Sequence, residues 1–436
     1  MPVILAALMG CPTPEGAVDL QALQSRLDAQ ATQLDAQAAR IAALEAELDA
    51  QDLSIYATDQ ELAGAVSGLA STSDLAPFLT QPDIDALDLA SRTDLEDALL
   101  DRVIAQSLTV EVPADFPDLN AVLDAYADRV FLPGAFLNVE IADSPTPYVY
   151  AEPIIVEHPY GAHLVITGNA ADPSAVVLQF AGTDGIEVRW GSALAYLDGV
   201  TLRGTNGGTT TGIYVHHNSS AGIGDVRIEG FTRSAVNASI QSFVSVDSLV
   251  STSPTDVAGV LAEWNSTLWA NAANISGSTG EGASFVQGAR GRLTNSTIVG
   301  GNRGVVVSDG SSVVATGSDV SAQQNALELT AHSMVRASGS AWTSAGANGA
   351  SVQQGSYADL AGATLSNSAD NGVECFTGSY CDLFDAVVEG NMGSGLLVQV
   401  GSTASTAGLT FNGGNTGGNT NSSGVSASET FDPYVP

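Results

Sequence analysis

Asn295–Val307 reads NSTIVGGNRGVVV, and Ala363–Cys375 reads ATLSNSADNGVEC. Each holds a short apolar strand, a polar turn, a small residue and a second short apolar strand. The small residue recurs as Gly212, Ala235, Gly259, Gly282, Gly304, Ala326, Gly349, Gly372 and Gly395, at gaps of 22–24 residues. Six or seven residues upstream of most of these pivots stands an apolar landmark: Ile228, Ile275, Ile298, Val320, Trp342, Leu365 or Val388. A period this regular is the mark of a solenoid, in which each repeat is one coil. After each pivot apolar side chains alternate, as in Ile213/Val215, Val305/Val307, Leu327/Leu329, Val373/Cys375 and Leu396/Val398. Alternation sends them to one face of a strand. No coil can bury that face alone, so every coil must supply its neighbour's core.

The repeat predicts an all-β solenoid with 22–24-residue coils and at least two strands per coil. Gly185, in TDGIEV, marks a further copy before a longer loop. Phe116–Asp128 (FPDLNAVLDAYAD) is expected to form an amphipathic helix, followed by one strand through RVFLPGAFLNVEI. Together these features, over about residues 130–412, resemble the right-handed parallel β-helix proteins of the pectin-lyase-like superfamily. The resemblance implies the right hand and a helix that covers the first coil. It also brings polysaccharide lyases, hydrolases and epimerases into question, which only residues can decide.

The five expected segments are a leader (1–17), a coiled coil (18–55), a stalk of short helices (56–110), the β-helix with its capping helix (111–412) and a Gly/Asn/Ser-rich flexible tail (413–436). In the leader, Leu8-Met9-Gly10-Cys11 follows a short apolar run and resembles a bacterial lipobox, which implies lipidation at Cys11. No Lys or Arg precedes the run, a departure from that pattern. From Leu20, one seam carries Leu20, Leu27, Leu34, Ile41, Leu48 and Ile55, and its partner carries Leu23, Gln30, Gln37, Leu44 and Gln51. That alternation of three and four is a heptad seam. Thr58, Ser73 and Thr93, each followed by acidic residues, fit helix N-caps in the stalk. The stalk is similar in style to the shafts of trimeric phage tail fibres and bacterial surface adhesins.

The chain of 436 residues carries 48 acidic residues against 13 basic ones, all of them Arg, for a net charge of -35. That field repels nucleic acid and anionic membranes. It suits solubility in a salty or extracellular setting, and export to an outer membrane or cell surface is expected, with a virion as the alternative. Membrane contact is expected only through the lipid. Cys375 and Cys381 are the one pair left for a disulfide, although the repeat points Cys375 into the core, where a buried thiol fits equally.

Glycosidic cleavage needs two carboxylates ~5–5.5 Å or ~6.5–9.5 Å apart. The outward positions of the second strands run Tyr214, Asn237, Leu261, Ser284, Val306, Glu328, Ser351, Glu374 and Leu397, with no acidic neighbours. One step along, His216 and Glu263 lie two coils apart. VTLRG (Val200–Gly204) aligned on VRIEG (Val226–Gly230) brings Arg203, Arg227 and Glu229 outward, with Asp198 and Asp225 at the adjoining turn. This is the charged cluster to inspect for catalysis, and a surface ion-pair network is the plainer reading. His216 and His217 are adjacent on a strand and so are expected on opposite faces, which argues against a shared metal. No metal or cofactor is expected. Trp190, Trp264 and Trp269 would suit sugar stacking if exposed, whereas Trp342 falls in an inward column.

The leading expectation is therefore a non-catalytic, surface-displayed structural or adhesive lipoprotein, with polysaccharide as the candidate ligand. The alternatives are a β-helix polysaccharide lyase, hydrolase or epimerase, and a phage-derived tail fibre. Hydrophobic seams with Gln layers over residues 18–55 predict a parallel homo-oligomer, a trimer by analogy with fibres. Light scattering should return about three times the chain mass, falling when residues 18–55 are deleted.

Overall fold

A parallel β-ladder runs through the computed structural model. The structure describes residues 102–423, apart from 159, 160, 206, 300, 344 and 345, together with Phe431–Asp432. These lie within one unit, Leu95–Pro436. The leader with Cys11, the coiled coil and nearly all of the stalk fall outside the described residues.

Three long parallel sheets, of 14, 12 and 12 strands, enclose one core. Successive coils visit sheet 1, sheet 2 and sheet 3 in turn: Ala193–Asp198, Val200–Thr205 and Thr211–His216 form one coil, and Ser220–Ile223 begins the next. Pairing is in register along each sheet, as in Val305↔Leu327, Leu327↔Ala350, Ala350↔Val373 and Val373↔Leu396. The predicted apolar pairs all point inward and are fully buried. Each such aliphatic contributes about 1.5–3 kcal/mol. Trp342 is also buried, stacked in sheet 2 between Val320 and Leu365.

The small pivots have a steric cause. A Cβ on Gly212, Gly259, Gly282, Gly304 or Gly372 would collide with Ile228, Ile275, Ile298, Val320 or Val388. The landmark of each following coil therefore sits directly over the pivot of the coil before it. The two features of the repeat are one contact.

Coils turn from sheet 3 to sheet 1 through two consecutive residues in the left-handed region. Examples are Trp190-Gly191, His217-Asn218, Ile240-Gln241, Trp264-Asn265 and Asp309-Gly310. A buried serine follows in most coils. The backbone N–H of Ser219 donates to Ser242 Oγ at 3.2 Å, and that of Ser242 to Ser266 Oγ at 3.1 Å. Lower down, Ser333, Ser356 and Ser379 donate to the next serine at 3.1–3.2 Å. Ahead of sheet 3, Asn371 Nδ2 donates to Asn348 Oδ1 at 3.2 Å, and Asn348 Nδ2 to Asn325 Oδ1 at 3.3 Å. These ladders satisfy polar groups that the tight corners would otherwise strand.

Several expectations need correction. The expected minimum of two strands per coil is met by three, and in the last coils the inward residues of sheet 1 are small: Ala358, Cys381 and Ala404 on Tyr357–Asp359, Tyr380–Asp382 and Thr403–Ser405. The predicted helix is shorter, Leu119–Tyr126, and its N-cap Asp118 accepts from the Ala121 N–H at 2.9 Å. RVFLPGAFLNVEI forms two strands, Val130–Phe131 and Leu137–Ile141, broken where Gly134 takes φ 87°. The sheets begin at Val103, inside the segment assigned to the stalk. The assigned tail contributes Thr420–Ser423 and Phe431–Asp432, which pair with Leu396–Gln399 and Ala404–Ser405. Strand pairing uses backbone groups, so an Asn/Gly/Ser-rich segment can complete a ladder that an open edge offers.

Gly282→Ala tests the stacking rule, since its Cβ would also come within 2.8 Å of the Gly304 carbonyl oxygen. The substitution should destabilise the fold by about 1–3 kcal/mol, seen as a lower denaturant midpoint.

Candidate functional site

The charged cluster expected on sheet 2 is assembled only in part. Arg203 and Glu229 stand in register on neighbouring coils, and Arg203 Nε donates to Glu229 Oε1 at 2.5 Å. Both are partly exposed, where an ion pair contributes about 0–1 kcal/mol. Asp198 and Asp225 meet at the corner between sheets 1 and 2, where Asp198 Oδ1 accepts the Asp225 N–H at 2.7 Å. Arg227 points outward over a cleft of about 370 Å³ whose walls include Asp172 and Ser248. The arrangement is a row of surface contacts with no focus of buried charge.

Cys375 and Cys381 are free buried thiols in adjoining inward columns of sheets 3 and 1. Cys375 donates to the Thr403 carbonyl at 3.4 Å. Burial, with Cys375 alongside, pushes the Cys381 thiol well above its usual range.

A denser constellation stands at the corner of sheets 3 and 1. The strands Ile186–Val188 and Thr211–His216 place Glu187 beside Tyr214, both facing outward. From there Glu187 Oε1 bonds His216 Nε2 at 2.8 Å and accepts from Arg189 Nη1 at 3.1 Å. Arg189 is also held by Glu157. Tyr214 stacks on His216, with ring centroids 4.3 Å apart and planes 15° apart. The strand ends at His216, and the left-handed bend at His217, with φ 58°, turns the second imidazole to the same side. Its Nδ1 meets Nδ1 of His216. Trp190, in the equivalent bend one coil earlier, packs on His217 with centroids 4.1 Å apart, and is 63 % exposed.

The expected opposition of His216 and His217 therefore fails, because the chain leaves extended geometry between them. The absence of an acidic partner on this face fails as well. Glu187 belongs to the TDGIEV copy, and a long side chain reaches diagonally across the ladder. Aligning IEV of that copy on IYVH would have exposed the pair in the sequence. Among the described residues, no three His, Cys, Asp or Glu side chains converge as a metal site.

Glu187 and His217 between them occupy both ring nitrogens of His216. Below the pair, Arg233 bonds Glu263 at 3.5 Å, and Asn237 Nδ2 donates to the same oxygen at 3.3 Å. Burial pushes the Tyr214 phenol up, partly offset by its hydrogen bond to Ser239. Beside this corner, Leu123, Asp124, Ile155, Glu157 and Arg189 line a cleft of about 350 Å³ under the capping helix. The arrangement offers a ring platform edged by carboxylates and guanidinium groups, suited to the apolar faces and hydroxyls of a sugar.

A family model of the right handed beta helix region matches residues 271–431. No curated protein sequence matches the chain. Among solved structures, the A-module of a mannuronan C-5 epimerase from Azotobacter vinelandii aligns at 11 % identity and a TM-score of 0.36, covering 69 % of this chain and 89 % of that one. The chain is a right-handed parallel β-solenoid.

Asp184 gives a titration test of the corner. Burial raises its carboxyl, opposed by the Thr211 N–H at 2.6 Å, while Glu187 also raises it and Arg233 and His216 lower it. With the folded pKa above the ordinary 3.8, the native state binds more protons in that window, so stability should fall as pH rises through it. Asp184→Asn keeps an oxygen for Thr211 and should abolish this loss, checked by denaturation midpoints from pH 3 upward.

Proposed function

We propose that this chain is a surface-displayed, non-catalytic β-solenoid that binds polysaccharide. In this reading an N-terminal lipid at Cys11 and a trimeric coiled coil over residues 18–55 carry the solenoid outward from the cell. The Trp190–His217–His216–Tyr214 corner is the saccharide site. The observation behind it is the four-ring cluster with one largely exposed indole, flanked by Glu187, Arg189 and Glu157. Aromatic faces take up the C–H side of sugar rings, while carboxylates and guanidinium groups meet hydroxyls.

Binding is favoured over turnover by how the titratable groups are committed. His216 is only 6 % exposed, with one ring nitrogen on Glu187 and the other on His217. Arg189 is engaged by two carboxylates and Arg233 by Glu263. A general acid or base must instead offer its proton-transfer atom to the substrate. The second reading, a β-helix lyase, hydrolase or epimerase, draws on the same His216–Glu187 pair with a phenol alongside.

A glycan-binding screen on residues 102–436, followed by titration of its strongest ligand, separates the two. Trp190→Ala and Tyr214→Ala should each weaken binding by about tenfold or more, the weight of one or two stacking contacts. Glu229→Gln should leave it unchanged. Release of reducing or unsaturated ends that disappears with Glu187→Gln would establish the catalytic reading in its place.

A further inference from the structure

The chain spends its positive charge carefully. Of the ten described arginines, seven contact a carboxylate: Arg102, Arg129, Arg189, Arg203, Arg233, Arg303 and Arg336. Among the described residues Arg227, Arg290 and Arg292 form no ion pair. Two of these three stand on the single sheet-1 strand Arg290–Thr294, two residues apart, and both are exposed. With 48 acidic residues to choose from, leaving both without a carboxylate is notable. Their surroundings show what they face.

Arg292 stands in register with Trp269 on the preceding coil, and Arg290 with Thr267. Trp269 is 47 % exposed and meets Phe243 edge to face, with ring centroids 5.1 Å apart and planes at 87°. That contact fixes the indole while leaving much of it in solvent. One coil further up, Ser245 opposes Trp269 and Gly222 opposes Ser245, so apart from Phe243 the residues in register on that side are small. A cleft of about 320 Å³ opens here, with Trp269 and Arg292 in its walls beside Asp247, Asn271 and Thr294. Asn271 Nδ2 donates to Asp247 Oδ1 at 3.1 Å, and Arg292 Nε donates to Thr294 Oγ1 at 3.1 Å. The second oxygen of Asp247 and the terminal nitrogens of Arg292 make no hydrogen bond among the described residues.

We propose that this face of sheet 1 is a second binding site, for a saccharide ring that carries an acidic group. Trp269 takes the apolar face of the ring, and Asp247 with Asn271 takes hydroxyls. Arg292, with Arg290 beside it, takes the carboxylate or sulfate through its planar fork. The net charge of -35 does not prevent this, because at physiological salt the field of distant carboxylates decays over about 8 Å. Along sheet 1 the next carboxylates beyond Asp247 are Asp198 toward the capped end and, on the other side, Asp359, already paired with Arg336 at 3.2 Å. The site is built from residues distinct from the Trp190 corner and does not depend on the function assigned there.

Dextran oligomers of matched length, unmodified, carboxymethylated or sulfated, present one backbone with and without charge. In titrations against the full chain, at least one charged form should bind saturably and about tenfold or more tighter than unmodified dextran, the weight of a charge-assisted hydrogen-bond pair. The form that binds identifies the acidic group. Trp269→Ala and Arg292→Ala should each remove that preference or the binding itself, with the thermal transition retained. Arg227→Ala, at the other exposed unpaired arginine, should leave it intact. Equal binding of the neutral oligomer, no saturable binding of either charged form, or insensitivity to Arg292→Ala would overturn the proposal. An equal loss in Arg227→Ala would also overturn it, by showing diffuse attraction. A loss confined to Trp190→Ala would assign the ligand to the sheet-3 corner instead.

Discussion

Every feature of this protein is subordinate to one requirement: each coil must hydrogen-bond to the next in register, a strand spacing of about 4.8 Å away. The chain meets it by turning from sheet 3 to sheet 1 through paired left-handed residues. That conformation is costly for side chains other than Gly, Asn and Asp. Yet Ile240, Trp264, Thr377 and Val400 all adopt it. The neighbouring coils over-determine the corner, so local preference is overruled. A bend of this kind has a second effect, because it throws its side chain outward. Trp190, His217 and Trp264 occupy equivalent bends on successive or nearby coils, and the corner becomes a ridge on which large rings are displayed.

Stacking also decides where polarity can sit inside the fold. The serine ladder passes a backbone N–H to the next coil's hydroxyl and the asparagine ladder passes a side-chain amide back to the preceding coil's oxygen, so these donors are satisfied only because a neighbouring coil repeats the residue. A missing rung can be absorbed where the neighbour still provides an acceptor. Ala289 has no hydroxyl, but its N–H donates to Ser311 Oγ at 3.0 Å. The same logic governs the pivots. Replacing Ala235 or Ala326 by the glycine found elsewhere loses little, whereas a glycine lying under Ile275, Ile298 or Val320 has no room to grow.

This explains how much the sequence revealed. Period, pivot and landmark are all consequences of coil-on-coil packing, and they repeat often enough to be read directly. Sheet 1 is faint in the last coils, where its inward positions shrink to Ala358, Cys381 and Ala404, although upstream they hold Leu194, Val244, Leu268 and Leu293. The corner site escaped for a different reason. Pairing of Glu187 with His216 is a diagonal contact between coils, and the approach of His217 depends on one φ angle after the strand has ended. Outward residues were compared straight across the ladder, which finds Arg203 and Glu229 but misses long side chains that reach sideways. Repetition encodes the scaffold; single departures from it encode the site.

Those departures are concentrated. From Asp319 to Ser405 the strands of all three sheets are mostly three residues long. Upstream, strands of five or six residues in sheets 1 and 3 carry Tyr214, His216, Phe243 and Trp269, and eight of the ten described arginines lie before residue 300. Longer strands add outward positions per coil, and three outward columns on sheet 1 are what allow Phe243, Trp269 and Asp247 to frame one cleft across two coils. A uniform solenoid would have sufficed as a spacer. The widening of these coils, and the loading of their outer faces with rings and unpaired guanidinium groups, are what the proposed recognition on the capped half of the solenoid rests on.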